Sequence, residues 1–190
     1  YVFYKISGLP EHQILGSGTI LDTSRLQSEL AKRFCISPKN VHAHVYGEHG
    51  DSSFVPWSLV HIANNHIDSY AANSPDHDKI VWNREYREVE DFVKKSGAQV
   101  IKSKGATYYA VAMSVCHLCK CLCNTAGTAV TVSTMMHGEY GVSDVCLSTL
   151  ALVDRNGVRG KILNHLTDSE IDLLRISADK LKDVIRQINI

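Results

Sequence analysis

Val145-Cys146-Leu147-Ser148-Thr149-Leu150-Ala151-Leu152-Val153-Asp154-Arg155-Asn156-Gly157-Val158 carries an apolar run straight into an Asn-Gly pair. Asn-Gly readily takes the left-handed backbone of a tight hairpin. The stretch therefore predicts two antiparallel strands, Val145 to Val153 and Val158 to Leu163. Upstream, the pattern changes to a period of two from Ala126, and Val130 and Val132 begin a further strand of the same meander. Downstream, Thr167 and Glu170 have capping-box spacing and open a closing helix that buries Ile171, Leu174, Ala178, Leu181 and Ile185.

Ahead of the meander the period is helical. Leu26, Leu30 and Phe34 mark an amphipathic helix from Asp22 to Phe34, with Asp22 or Thr23 as its N-cap. Ser37-Pro38-Lys39-Asn40 turns the chain, and Val41 to Tyr46 reads as a strand. Pro56 suits a helix start, continued by Leu59, Ile62, Ala63 and Ile67. A polar break at Asn73 to His77 precedes a long helix from about Lys79 to Ser103, whose core face is Val81, Val89, Phe92, Val93 and Val100. Lys104-Gly105-Ala106-Thr107 interrupts it, and helical spacing resumes from Tyr108 to Asn124 through Val111, Val115, Leu118 and Leu122. The order is helices, an antiparallel meander, then a closing helix: an α+β domain of long helices on a meander. It lacks the alternating rhythm of a doubly wound dinucleotide-binding sheet. Residues 1–8 (Tyr1-Val2-Phe3-Tyr4-Lys5-Ile6-Ser7-Gly8) read as the end of a helix whose beginning lies upstream, leaving 9–190 as the domain itself.

In 190 residues, 20 Lys+Arg balance 20 Asp+Glu, so the chain carries no electrostatic footprint for nucleic acid or an anionic membrane. No run approaches the roughly 18 apolar residues of a membrane span. Four of six cysteines crowd between 116 and 123, unlike a secreted disulfide framework, which predicts reduced thiols and a cytoplasmic setting. On a helix, Cys116, Cys119 and Cys123 share a face and read as small buried apolar groups, with Cys121 pointing elsewhere. Zinc is the rival reading of that cluster, but a second ligand pair at structural-zinc spacing is missing, so no metal is expected. Most of the ten histidines are scattered and read as surface or interface residues.

His49 is different. It sits between glycines in Gly47-Glu48-His49-Gly50-Asp51-Ser52, directly after an apolar run. Asp22 and Arg25, three apart in Asp22-Thr23-Ser24-Arg25, project from one side of a helix's first turn. A histidine, a carboxylate to orient it and an arginine to grip an anion are the parts for proton transfer on a small carboxylic acid.

Four motifs in order, Gly16-Ser17-Gly18-Thr19, Leu21-Asp22-Thr23-Ser24-Arg25, Gly47-Glu48-His49-Gly50-Asp51-Ser52 and Lys104-Gly105-Ala106-Thr107, resemble the L-lactate dehydrogenase family. The likeness extends through Asp154-Arg155-Asn156-Gly157-Val158 to the closing helix and covers the C-terminal catalytic domain only. It implies that His49 exchanges a proton with the substrate's 2-oxygen and that Asp22 holds its other ring nitrogen. It implies that Arg25 clamps the substrate carboxylate, Thr107 lines the pocket, and Ser17 and Val111 approach the nicotinamide of NAD. The parent protein would then interconvert pyruvate and L-lactate, as in glycolysis and fermentation, as a homo-oligomer (tetramer or dimer). This chain would be inactive without its nucleotide-binding half. Another L-2-hydroxy acid, malate or a branched one, is the alternative substrate; Glu48 and Thr107 favour lactate over malate. A non-catalytic scaffold is the alternative function. Members activated by fructose 1,6-bisphosphate pair an arginine with a histidine at positions that here hold Gln27 and His42. Half of that allosteric anion site is therefore absent. A rearranged Ser53-Phe54-Val55-Pro56-Trp57 is a second departure, expected to alter packing after the loop.

Overall fold

The computed structural model describes residues 1–80 and 82–188. In chain order the elements are α1 (Val2–Ile6), α2 (Ile20–Arg33), β1 (Val41–His42), β2 (His61–Ile62), β3 (Asn65–His66), α3 (Ile67–Asn73), α4 (Tyr86–Lys104), α5 (Tyr109–Leu122), β4 (Thr128–His137), β5 (Ser143–Asp154), β6 (Gly157–Lys161) and α6 (Asp168–Arg186). Two three-stranded antiparallel sheets result, β1-β2-β3 and β4-β5-β6. The expected fold class is the fold found: long helices on an antiparallel meander, closed by α6.

The meander forms where the apolar alternation and the Asn-Gly pair demanded it. β4 and β5 pair from Thr128↔Val153 to His137↔Ser143, and β5 returns into β6 through Asp154↔Gly157. The capping box at α6 is complete: the Thr167 hydroxyl accepts from the Glu170 amide, and the Glu170 carboxylate accepts from the Thr167 amide. Glu170 also accepts from the amide and hydroxyl of Ser58, tying the start of α6 to the loop after Pro56.

Three apolar clusters fill the interior. Leu26 and Leu30 of α2, with Phe34 just past its end, pack with Val60, Ile62, Ile67, Val89 and Val93. Tyr46, Phe54, Leu147, Leu150, Leu174 and Ala178 join β5 to α6. Ile20, Leu118, Cys121, Val130, Val132 and Val153 join α5 to the meander. The Arg33 guanidinium donates to Glu29, Glu85 and Glu88 at 2.7–2.8 Å and so fixes the start of α4 against α2.

Several expectations need correction. The first long helix begins at Ile20 with Thr19 before it, so Asp22 lies inside the first turn instead of capping it. The strand expected over Val41–Tyr46 is a strand only at Val41–His42; Tyr46 and Gly47 instead bridge to Phe54 and Ser148. Residues 56–66 are not a helix; helix begins only at Ile67, the first residue of α3. Trp57–Leu59 form one 3-10 turn, then β2 and β3 make a hairpin whose central Ala63 and Asn64 have φ of 47° and 64°. Two successive left-handed residues are the geometry of a tight hairpin turn, and buried Val60 and Ile62 alternate as a strand does. α4 begins at Tyr86 because Arg84, at φ 57°, cannot continue a right-handed helix. Of its expected core face, Val89 and Val93 are buried, Phe92 and Val100 are exposed, and Val81 lies outside the described residues, as do 189 and 190 of the expected domain.

α5 is rotated from the expectation, although of the expected face Leu118 is buried and Leu122 partly so. Ser114, Leu118 and Cys121 face inward, whereas Val111, Val115, Cys116, Cys119 and Cys123 are exposed. A helix apolar on every side gives no periodic clue to its buried stripe. Among the described residues no three His, Cys, Asp or Glu side chains converge as metal ligands, and no helix is long and apolar enough to cross a membrane. His44, expected at the surface, is half-buried, and its Nδ1 meets no hydrogen-bond partner. Loss of water around the ring lowers its pKa to about 4, with His42 adding repulsion.

Candidate active site

Two hydroxyls decide where the site forms. Thr19 and Thr23, one turn apart at the start of α2, both point at Val45. The Thr19 hydroxyl donates to the Val45 carbonyl, and the Val45 amide donates to the Thr23 hydroxyl at 3.0 Å. Helix and chain are thereby joined on both polar groups of one residue, just before the glycine-flanked loop. Gly47 continues onto β5, its amide and carbonyl pairing with Ser148 at 3.0 Å in both directions. The Ser148 hydroxyl in turn accepts from the Thr19 amide at 3.2 Å.

α6 supplies the other side of the mount. The Ser177 hydroxyl, fully buried, accepts from the Glu48 amide at 2.8 Å and from the Ser52 hydroxyl at 3.1 Å. Gly47 has φ +95°, and a Cβ there would stand 2.7 Å from the Ser177 oxygen. Only glycine meets both constraints, because a side chain would be strained in conformation and would collide with α6. The Glu48 carboxylate receives Lys180 at 2.9 Å and the Ser52 amide at 3.3 Å. Burial pushes the pKa of Glu48 up, but these bonds outweigh it and the net shift is downward.

So held, His49 meets Asp22. Its Nδ1 lies 2.6 Å from Asp22 Oδ2, while Arg25 Nη1 donates to Asp22 Oδ1 at 3.1 Å. One buried carboxylate therefore faces both a ring nitrogen and a guanidinium. With Asp22 as acceptor, the Nδ1 proton is fixed and Nε2 becomes the ring's outward-facing nitrogen. The hydrogen bond to Asp22 raises the His49 pKa above its ordinary value; partial burial and Arg25 work against it, and Glu48 adds to it.

His49, Asp22, Arg25, Thr107 and Val111 line one open cleft of about 310 Å³, with Lys94, Gly97, Ala98 and Ile101 of α4 as its opposite wall. Ser17 is not in that lining; it is exposed in the turn before α2. His42 is exposed on β1, also outside the cleft, and Gln27 spends its amide on the Ala43 carbonyl at 3.1 Å. A larger hollow of about 410 Å³ near His12, Arg155 and Gly157 has no carboxylate in its lining and thus no acid–base pair. Sequence reasoning missed Thr19, Ser148 and Ser177, took Thr23 only for a cap, and missed the α4 wall.

Residues 19–189 match the family model for the lactate/malate dehydrogenase alpha/beta C-terminal domain. Among curated relatives, the L-lactate dehydrogenase of Thermoanaerobacterium saccharolyticum is 42% identical over 191 residues, covering 100% of this chain and 60% of that protein. That of Acetivibrio thermocellus is 40% identical over 192 residues, with 59% of its length covered. Among solved structures, an L-lactate dehydrogenase from Clostridium thermocellum superposes with a TM-score of 0.88 at 35% identity, covering 100% of this chain and 61% of its own. A minor L-lactate dehydrogenase from Enterococcus mundtii gives 0.91 at 33%, covering 100% and 59%. The chain thus spans about 60% of the length of the curated relatives it matches.

Proposed function

Because this chain belongs to the lactate/malate dehydrogenase family, as its α/β C-terminal domain, we propose that it is the substrate-binding and catalytic part of an NAD-dependent L-lactate dehydrogenase. Residues 9–190 would form that part and residues 1–8 the end of a linking helix. The observation that carries the reading is Asp22, whose two oxygens engage His49 and Arg25 at 2.6 and 3.1 Å in one cleft.

In reduction, His49 Nε2 gives its proton to the 2-oxygen of pyruvate; in oxidation of L-lactate it takes the proton back. Asp22 fixes the ring's tautomer and stabilises the imidazolium. Arg25 holds the substrate carboxylate through parallel hydrogen bonds, a fork that lysine lacks. Thr107 closes the cleft beside the substrate. A nicotinamide dinucleotide, when bound, supplies or accepts the hydride at C2. Val111, which lines the cleft, fits a contact with its ring; Ser17, outside that lining, is the second residue proposed for it. Glu48 and Thr107 favour pyruvate over oxaloacetate as the natural oxo acid. The whole protein would be a cytoplasmic homo-oligomer, and Gln27 in place of a cation makes it indifferent to fructose 1,6-bisphosphate.

The test is oxidation of NADH with pyruvate, followed by absorbance, in the full-length protein that contains this chain. Turnover is expected there and none from the 190-residue chain alone. Absence of turnover in the full-length protein would overturn the reading.

A further inference from the structure

Three of the scattered histidines fall into one row. The registers of β1, β2 and β3 place His42 opposite His61 and His61 opposite His66. Directly opposed residues of an antiparallel pair project to the same face, so all three imidazoles rise from one side of this sheet. His61 and His66 make the closer pair. The Ile67 amide donates to the Val60 carbonyl at 3.1 Å, so Val60–Ile67 is a hydrogen-bonded pair. Its neighbour His61–His66 is then non-hydrogen-bonded, the type whose side chains approach most nearly. The two ring centroids lie 6.0 Å apart with the planes at 89°.

The nitrogens are arranged for more than ring contact. His61 Nδ1 lies 3.0 Å from the Leu59 carbonyl, which can only accept, so in the neutral ring Nδ1 carries the proton and Nε2 keeps its lone pair. A backbone carbonyl on the second ring nitrogen is how metal-bound imidazoles are oriented. With metal–nitrogen bonds of ~2.1 Å, two imidazoles on one tetrahedral ion have centroids about 5.3 Å apart, rising to about 6.5 Å when opposed. The observed 6.0 Å falls inside that range, so one ion spans the pair with side-chain adjustment alone. Asp68, two residues on, has its oxygens taken by Trp82, Tyr86 and Arg84 and is not free to serve as a ligand.

From this row we infer a site for a divalent transition metal of the zinc, copper and nickel kind, ions that neutral imidazole suits. His61 and His66 hold the ion, water completes its shell, and His42 stands beside it in the row. The site lies outside the His49 cleft and does not depend on the dehydrogenase reading. Its effect is structural. Each of the three strands is two residues long, and a ladder that short is marginal by itself. An ion across β2 and β3 clips the hairpin shut at the entry to α3.

Zinc titration by calorimetry on the full-length protein tests this. Cys116→Ser, Cys119→Ser and Cys123→Ser in the background remove the exposed thiols of α5 as rival ligands. One saturable zinc ion per chain is expected, released by EDTA, with slowed hydrogen exchange across residues 60–67. His61→Gln and His66→Gln should each weaken binding at least ~10-fold, since even the loss of an outer-shell partner costs that much. His66→Gln should unfold near the unaltered temperature without zinc, which keeps the result readable if His61→Gln folds poorly. No saturable binding, binding unaffected by His66→Gln, or zinc bound without added protection of residues 60–67 would overturn the inference.

Discussion

At the residue scale, Asp22 serves two partners at once, and each can be removed separately. Asp22→Asn takes away the carboxylate whose hydrogen bond is the largest cause of the raised His49 pKa. The histidine of the variant should therefore lose its proton at lower pH. In the full-length protein the alkaline limb of pyruvate reduction should move toward acid, and kcat should fall by about 10² or more, the scale of general acid catalysis; a pH–rate profile checks both. The same shift has a stability sign. A histidine whose folded pKa is raised stabilises the fold fully below its unfolded value of about 6.5 and loses that contribution as pH rises through the folded value. Arg25→Lys keeps the charge and loses the fork. It should lower kcat/KM roughly 10- to 100-fold, the worth of a charge-assisted hydrogen bond at about 1.5–3 kcal/mol, with the loss seen chiefly in KM. Asp22, Arg25 and His49 were legible in sequence because helix-turn spacing and paired glycines constrain direction. Thr19, Ser148 and Ser177 were not, since a small hydroxyl in sequence says nothing of a partner more than a hundred residues away, such as Glu48 for Ser177.

At the element scale, α6 acts as the support of the histidine loop. Ser177→Ala would leave the Glu48 amide without its acceptor, at a cost of about 1–3 kcal/mol for an unsatisfied donor. Denaturant unfolding should register that loss. If the proposed activity holds, kcat of the full-length protein should drop while KM for pyruvate changes little, because Arg25 is not touched; a rise in KM alone would refute the assignment. The elements themselves were legible in proportion to the regularity of their pattern. β4, β5, β6 and α6 carry sustained alternation or a capping box, and they lie where the pattern put them. Residues 56–66 were misread because Leu59, Ile62 and Ala63 fall by coincidence in helical spacing with Ile67, which does begin α3. The deciding fact, left-handed Ala63 and Asn64, has no apolar signature. The face of α5 was misassigned for the opposite reason, an excess of apolar and thiol groups around the whole helix. The second half of α4 was taken for core although it borders the cleft.

At the scale of the whole molecule, α5 presents Tyr109 and Met113 at 80% and 69% exposure beside Val111 and Val115. Apolar surface of this kind favours association. The isolated chain should self-associate as its concentration rises, and Tyr109→Ser with Met113→Lys should reduce that tendency; light scattering against concentration is the measurement. The fold class was legible at this scale because the order of patterns along the chain excludes an alternating α/β sheet. The relative placement of α4 and α2 was not, since beside their shared apolar cluster it rests on the Arg33 guanidinium reaching Glu85 and Glu88. The anchoring of the histidine loop has a further consequence, in time instead of space. Glu48 and Ser177 are separated by 129 residues, whereas Trp57 and Tyr86, whose ring centroids lie 4.5 Å apart, close a far shorter loop. Long closures come late in folding. During refolding the tryptophan signal should recover first, and the Glu48 amide should gain protection from hydrogen exchange afterwards. A partly folded chain would then have its core before it has an oriented His49, and the capacity for proton transfer would be the slowest property to mature.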